Sequence, residues 1–346
     1  MTRFRWLSAV LVVLGGFAMA LPVPSRSFAA DSVVAARLGK DPRAGAEARK
    51  GDGVSPLREA KSALVDFRSA PFPYLGIIPD KDIPFLDVSD GPRRGHTSGR
   101  GGVYWLDETY SDRRSLIYLP AGFDLRRPAV IVVFFHGNNA TLSRDVAGRQ
   151  RVPAQLAASG LNAVLVAPQF AVDALDSSAG NFWTPGAFDR FLREAAGRIA
   201  EVYGVPDERL AFERLPVVIV AYSGGYDPAA YAVALGGADR RIRGLILLDG
   251  LYDEEDKVAD WIAHYRKTIF FFSAFSPSSA GSNQTLQGLL GARHVTYGSG
   301  LPNRLTPGTV AFFATDPDTD HDEFVTQAWV PNPLAWVLAR IPGYKR

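Results

Sequence analysis

One serine stands where its hydroxyl could act as a nucleophile. The segment PVVIVAYSGGYDP (216–228) begins with an apolar, β-branched run that predicts a buried strand, and Ser223 follows that run directly. Gly224 and Gly225 come next, and Pro228 falls where the first turn of a helix is expected. A strand, a sharp turn and a helix would place the hydroxyl near a helix N-terminus, which stabilises developing negative charge. The alternative interpretation is a serine that only caps a helix.

A second polar turn follows another apolar run. Residues 129–135 (AVIVVFF) predict a buried strand, and His136, Gly137 and Asn138 come directly after it. In a parallel sheet, side chains at the carboxyl ends of the strands meet at one edge, where ligands bind. The alternative interpretation is an ordinary polar turn between a strand and a loop.

Together these segments resemble the α/β-hydrolase superfamily, which carries its nucleophile in a G-x-S-x-G turn and an H-G-x turn after the third strand. AYSGG departs from that pattern at its first position, where Ala221 replaces glycine. The resemblance implies an α/β-hydrolase fold, with a mostly parallel sheet and helices on both faces, and Ser223 as the nucleophile. It also implies that the backbone N–H groups of Asn138 and Gly224 form an oxyanion hole.

The resembling family orders its catalytic residues along the chain as serine, acid and histidine. Of the five histidines, His264, His294 and His321 follow the serine. His264 lies near the end of a predicted helix, where a cation is mildly favoured, and the role of His294 stays open. His321 lies in a loop after the last apolar run, TVAFFAT (309–315). We therefore predict that His321 is the general base.

The acid is predicted to be Asp249, which ends the apolar run GLILLD (244–249). A carboxylate there can orient an imidazole and stabilise the imidazolium. The family usually places its acid one strand later, but residues 277–294 contain no carboxylate. A family variant carries the acid after the preceding strand, and Asp249 fits that variant.

The segment PQFAVDALDSSAGNFWTPG (168–186) supplies candidate substrate contacts. Its aromatic residues predict an apolar wall over the serine, and its polar residues predict hydrogen bonds to substrate. An equally open interpretation is a surface loop that packs on its own aromatic side chains. The candidate substrate-binding residues are His136, Phe170, Asp176, Ser177 and Tyr222.

The elements that must position these residues are predicted from hydrophobic patterns. Continuous apolar runs are typical of strands buried on both faces of a parallel sheet. Between them, residues 187–204 and 256–266 carry apolar side chains at helical spacing. Strands that alternate with amphipathic helices indicate an α/β fold.

Composition excludes several classes of function. The chain has 346 residues, a formal net charge of +2 and no cysteine. That charge gives no electrostatic case for nucleic acid, and a thiolate nucleophile or a disulfide cannot form. The sequence has no H-E-x-x-H motif, no Walker loop and no G-x-G-x-x-G fingerprint, so no metal and no cofactor are expected.

The N-terminus predicts export. Two arginines precede an apolar run at residues 6–21, and small residues follow at 27–29. We interpret residues 1–29 as a signal peptide, 30–70 as a flexible arm and 71–346 as the α/β-hydrolase domain. The alternative is a membrane anchor, although the apolar run is shorter than the roughly 20 residues of a full span. The expected location is the periplasm or the medium.

The sequence thus predicts an exported serine hydrolase that cleaves a carboxylic ester through an acyl-enzyme. Its expected partner is a small-molecule or lipid-like acyl substrate, with no nucleic acid and no stable membrane span after signal cleavage. Two alternatives stay open: an amidase or peptidase with the same catalytic residues, and a non-catalytic binding module.

Overall fold

Six continuous apolar runs form the centre of a nine-stranded sheet. The structure is a computed structural model that describes residues 55–346, so the predicted signal peptide and most of the predicted arm lie outside the described residues. The strands are β1 (Lys61–Asp66), β2 (Ile77–Ile78), β3 (Ile83–Pro84), β4 (Val88–Asp90), β5 (Arg93–Thr97), β6 (Val103–Trp105), β7 (Arg114–Leu119), β8 (Val130–Phe135), β9 (Ala163–Pro168), β10 (Val217–Tyr222), β11 (Ile242–Leu248), β12 (Phe270–Phe275), β13 (Gly298–Ser299) and β14 (Val310–Ala314).

Helices fill the connections between the central strands. The α-helices are α1 (Leu106–Thr109), α2 (Val152–Ala158), α3 (Ala187–Tyr203), α4 (Arg209–Glu213), α5 (Tyr226–Ala234), α6 (Glu255–Tyr265), α7 (Ala280–Ala292) and α8 (Pro333–Leu338). A π-helix spans Leu142–Arg149, and short 3-10 helices include Ser223–Gly225 and His321–Val325. Within residues 55–346, no helix combines the length and the apolar character that crossing a membrane requires.

The main sheet is mixed but mostly parallel. Its strand order is β1-β7-β9-β8-β10-β11-β12-β14-β13. The pairs β1/β7 and β7/β9 are antiparallel, and all later pairs are parallel. The carboxyl ends of β8, β10, β11 and β14 therefore lie at the same edge, which is where the predicted catalytic residues follow these strands.

Both faces of the sheet are covered, as the continuous apolar runs predicted. In β8, alternate side chains enter two separate cores, with Ile131, Val133 and Phe135 in one and Val130, Val132 and Phe134 in the other. Side chains of α3, α5, α6 and α7 complete the first core, and side chains of α2 and α8 complete the second. A strand that is buried on both faces has no side chain in contact with water, which explains its continuous apolar sequence.

The domain begins earlier than the sequence indicated. Residues 61–66, assigned to the flexible arm, form β1 and pair along their full length with β7 at the edge of the sheet. Their side chains alternate between half-buried and exposed, so only one face of this strand is covered, and its apolar run is only three residues long. Phe67 follows it and is buried against Phe191 of α3, with the ring centroids 5.1 Å apart.

A small antiparallel sheet, β4-β5-β6, lies in the chain between β1 and β7 of the main sheet. The hairpin between β5 and β6 reaches the segment that follows β9: Ser98 Oγ donates to the carbonyl of Leu175 at 2.6 Å, and the Leu175 N–H donates to Tyr104 Oη at 3.1 Å. These bonds hold the hairpin tip against the loop at the carboxyl edge of the main sheet.

Replacing Phe67 tests whether this segment belongs to the folded domain. We expect Phe67→Ala to lower the free energy of unfolding by about 3–5 kcal/mol, because it removes a fully buried ring. Leu64→Ala, in the same segment but 40% exposed, should cost less than about 1 kcal/mol. Urea denaturation measures both values. Equal and small effects would contradict the placement of this segment in the core.

Candidate active site

The turn at Ser223 holds its hydroxyl above the sheet edge in a strained backbone. Ser223 follows β10 with φ at +53°, a region that non-glycine residues rarely occupy, and the chain then enters a short 3-10 helix and α5. A Cβ on Gly137 would lie 2.6 Å from the Cβ of Ser223. Glycine is therefore required at 137 for the turn after β8 to come this close to the serine.

Ser223, His321 and Asp249 form a continuous hydrogen-bonded chain. Ser223 Oγ lies 2.7 Å from His321 Nε2, and His321 Nδ1 lies 2.6 Å from Asp249 Oδ2. Because a carboxylate accepts at Nδ1, that nitrogen carries the proton, and Nε2 is left to accept the serine O–H. The structure thus brings together the three residues that the sequence predicted as nucleophile, base and acid.

Asp249 is fully buried, and its charge is compensated by hydrogen bonds. Oδ1 accepts from the N–H and the Oγ of Ser276, both at 3.0 Å, and from Ser279 Oγ. Burial alone would raise the pKa of Asp249, but the bonds from His321, Ser279 and Ser276 outweigh burial and hold that pKa below its usual value. The carboxylate therefore stays ionised and can stabilise an imidazolium at His321.

Sequence reasoning missed the two serines that hold Asp249. Ser276 and Ser279 follow β12, the position where the resembling family usually carries its acid. A cluster of short polar residues at the carboxyl end of a buried strand was the available signal. In this chain that position supplies hydrogen bonds to the acid, and the acid itself comes from the neighbouring strand β11.

His321 is positioned by its own loop and by Tyr222. It begins the 3-10 helix His321–Val325, whose N-terminus has a capping box formed by Asp320 and Glu323. The ring of Tyr222 stacks under the imidazole with centroids 5.1 Å apart, and its Oη donates to Asp322 Oδ1 at 3.0 Å. Tyr222 is only 3% exposed. Tyr222 also lines the cleft beside Ser223, so it supports the histidine loop and its predicted contact with substrate stays a prediction.

Asn138 and Gly224, the two residues predicted to donate oxyanion N–H groups, are in contact through the side chain of Asn138. A Cβ on Gly224 would come within 2.2 Å of Asn138 Oδ1 and 2.7 Å of Ser177 Oγ, so both side chains pack on Gly224. Gly224 lies in the 3-10 turn that leads into α5, where the first N–H groups lack intrahelical acceptors. Asn139 donates its N–H to the Ala174 carbonyl at 2.8 Å and thereby fixes the turn after β8.

Ser177, a predicted substrate contact, lies beside the turn after β8. Its Oγ donates to Asn138 Oδ1 at 3.2 Å. This bond couples the segment after β9 to the turn after β8, so Ser177 holds the side chain of Asn138 beside Gly224.

His136 is a structural residue in this fold and not a substrate contact. It is 2% exposed, and both ring nitrogens are used within the protein. Nδ1 donates to the Gly137 carbonyl at 2.7 Å, and Nε2 accepts from the Phe170 N–H at 2.9 Å. Burial lowers the pKa of His136, which keeps the ring neutral. Its role is to hold the turn after β8, one strand away from the serine.

Two further predicted substrate contacts point elsewhere. Phe170 is 5% exposed and packs on Phe135, with centroids 5.3 Å apart, so it belongs to the core. Asp176 is buried and accepts from Tyr110 Oη at 2.6 Å. Both follow β9 closely in sequence, but the chain turns their side chains away from Ser223.

The serine opens into a cleft of about 500 Å³. The cleft is lined by Arg100, Asn138, Asn139, Arg144, Asp145, Arg149, Leu175, Tyr222, Ser223, His321 and Asp322. The His321 side chain is 39% exposed towards it. Across residues 55–346, no group of three or more acidic or histidine side chains could hold a metal ion. The polar lining and the accessible imidazole fit a site that admits a small molecule and water.

No family model matches the sequence, and no curated protein sequence matches it. The structure is similar to a feruloyl esterase module from Clostridium thermocellum (14% identity, TM-score 0.43, covering 78% of this chain and 95% of that one). It is also similar to an esterase from Pseudomonas putida (15%, 0.37, 71% and 77%) and an S-formylglutathione hydrolase from Agrobacterium tumefaciens (11%, 0.34, 66% and 87%).

Three features of the described residues define the fold. They are the strand order of the main sheet, the turn at Ser223, and the chain order of serine, acid and histidine. On these features, the chain has the α/β-hydrolase fold.

Proposed function

We propose that this protein is an exported serine hydrolase that cleaves carboxylic esters through an acyl-enzyme. The observation that carries the proposal is the hydrogen-bonded chain from Ser223 Oγ through His321 to the buried carboxylate of Asp249. If Ser223 only capped a helix, its hydroxyl would not need to bond the imidazole of His321. If His321 were only structural, its ring would not need to be 39% exposed. The combination fits nucleophilic catalysis better than a binding module.

The geometry supports a specific sequence of proton transfers. His321 Nε2 accepts the proton of Ser223 as its Oγ attacks the acyl carbon, and Asp249 stabilises the imidazolium. The negative charge on the carbonyl oxygen is received by the N–H groups of Asn138 and Gly224. The imidazolium then protonates the leaving alkoxide as the acyl-enzyme forms. A water molecule, deprotonated by the same imidazole, attacks the acyl-enzyme, and the imidazolium returns that proton to Ser223 Oγ as the bond to the acyl group breaks and the acid leaves.

Removing the nucleophile or the acid tests this assignment. We expect Ser223→Ala to lower kcat for p-nitrophenyl acetate by about 10⁶-fold, and Asp249→Asn to lower it about 10⁴-fold because the imidazole loses its orienting partner. Ser111→Ala makes the same change at an exposed serine that does not line the cleft, and it serves as the matched control. Far-ultraviolet circular dichroism checks that the variants fold. Undiminished hydrolysis by folded Ser223→Ala would contradict the proposal.

The same assay separates the two hydrolase alternatives. Short-chain p-nitrophenyl esters release p-nitrophenol, and amino-acid p-nitroanilides release p-nitroaniline. Both products are coloured, but the first comes from an ester bond and the second from an amide bond. The proposal predicts turnover of esters and kcat/KM values for anilides that are lower by orders of magnitude. Preferred cleavage of anilides would favour an amidase. A folded protein that turns over neither would favour a binding module.

Export rests on the N-terminal sequence pattern, since residues 1–29 lie outside the described residues. The proposal predicts that the protein recovered from the periplasm or the medium begins at Ala30. N-terminal sequencing of the purified chain measures this. A full-length chain recovered only from the membrane fraction would instead indicate a retained anchor.

A further inference from the structure

One charged side chain in the cleft comes from outside the catalytic loops. Arg100 lies at the tip of the β5–β6 hairpin and lines the same cleft as Ser223 and His321. Its guanidinium lies over the ring of Tyr252, 5.5 Å from the centroid. Tyr252 Oη in turn lies 3.5 Å from His321 Nδ1. One tyrosine ring therefore separates the cation from the catalytic imidazole.

The hairpin tip is built to hold this arginine in place. The tip residues 97–102 read TSGRGG, so Arg100 is the only long side chain among them. The Arg100 N–H donates to Ser98 Oγ at 3.2 Å, and the Gly101 N–H donates to the Ser98 carbonyl at 2.9 Å. Ser98 Oγ also bonds the Leu175 carbonyl, so the tip is tied to the wall of the cleft. A fixed tip reduces the entropy cost of placing the cation.

The other arginines of the cleft are already paired. Arg144 forms ion pairs with Asp145 and Asp173, and Arg149 pairs with Asp145 and Asp322. Within the described part of the chain, Arg100 has no ion pair. Of the three arginines that line the cleft, Arg100 is thus the one left without a carboxylate partner among the described residues.

We propose that Arg100 binds a carboxylate on the substrate, so that the enzyme prefers esters with one negative charge over neutral esters of similar shape. This inference rests on the proposed function and specifies its substrate class. The guanidinium presents a planar set of N–H donors that matches a carboxylate. Because Tyr252 lies between Arg100 and His321, the carboxylate is separated from the scissile carbonyl by several bonds.

Two matched pairs of esters test the preference. Phenyl acetate and 4-acetoxybenzoate differ by a carboxylate on the leaving group, and methyl hexanoate and monomethyl adipate differ by a carboxylate on the acyl group. We expect Arg100→Gln to lower kcat/KM about tenfold for the charged member of at least one pair and to leave the neutral members unchanged. Arg100→Lys should retain part of the preference, and added salt should weaken it.

Arg94→Gln is the matched control, since it makes the same change at an exposed position of β5 away from the cleft. It should leave all four rates unchanged. A ratio of charged to neutral kcat/KM that is the same in the wild type and Arg100→Gln for both pairs would overturn the inference.

Binding to a variant that cannot turn over separates this inference from the proposed function. Calorimetry of 4-acetoxybenzoate and monomethyl adipate with Ser223→Ala, with and without Arg100→Gln, measures the contribution of the charge alone. If the wild type hydrolyses none of the esters, the proposed function fails, but tighter binding that depends on Arg100 would still support a carboxylate site. Binding that is absent or independent of Arg100 would overturn the inference.

Discussion

The buried carboxylate of Asp249 bonds residues from two other loops of the site, and the position of His321 depends on it. It lies at the end of β11 with φ at +42° and receives hydrogen bonds from loops that follow two other strands, β12 and β14. An isolated buried charge is costly, so these bonds are required for the fold to keep the carboxylate ionised. The same bonds fix the direction of the His321 ring. The hydrogen bonds that stabilise the charge of Asp249 are therefore also the bonds that orient His321.

Strand order makes this arrangement possible. Ser223 and His321 are 98 positions apart in the chain, and two strands, β11 and β12, lie between the strands that precede them. The loop after β14 must cross the carboxyl end of β12 to reach the serine. Tyr222 and the capping box at Asp320 hold it there. The parallel sheet places both loops at one edge, and the contacts of Tyr222 and Asp320 bring His321 within hydrogen-bond distance of Ser223.

The sequence predicted the parts of the fold that depend on continuous patterns. Runs buried on both faces, such as 130–135 and 217–222, are recognisable because no residue in them faces water. Two of the candidate catalytic residues were predictable because Ser223 and Asp249 lie directly at the ends of such runs, and His321 because it lies in the loop after the last run. Asp249 departs from the family's usual acid position after β12, which holds serines in this chain. Ser276 and Ser279 donate hydrogen bonds to the Asp249 carboxylate from that position.

The remaining features depend on side-chain direction and on contacts between distant segments. His136 and Phe170 follow buried strands, yet both point into the core, which the chain position of a residue does not reveal. The edge strand β1 has only three consecutive apolar residues and no fully buried side chain, and it was assigned to a flexible arm. Arg100 reaches the cleft only because a hairpin docks on the loop after β9. No local pattern in the sequence reports such docking.

Covalent labelling measures the central claim, a serine activated by a buried carboxylate through an imidazole. A fluorophosphonate reacts with an activated serine and stays attached, so mass spectrometry of the intact protein and its peptides gives the extent and position of the reaction. The account predicts one adduct per chain, on Ser223, formed much more slowly in Asp249→Asn and absent in Ser223→Ala. An adduct elsewhere, or no adduct on the folded wild-type protein, would contradict it.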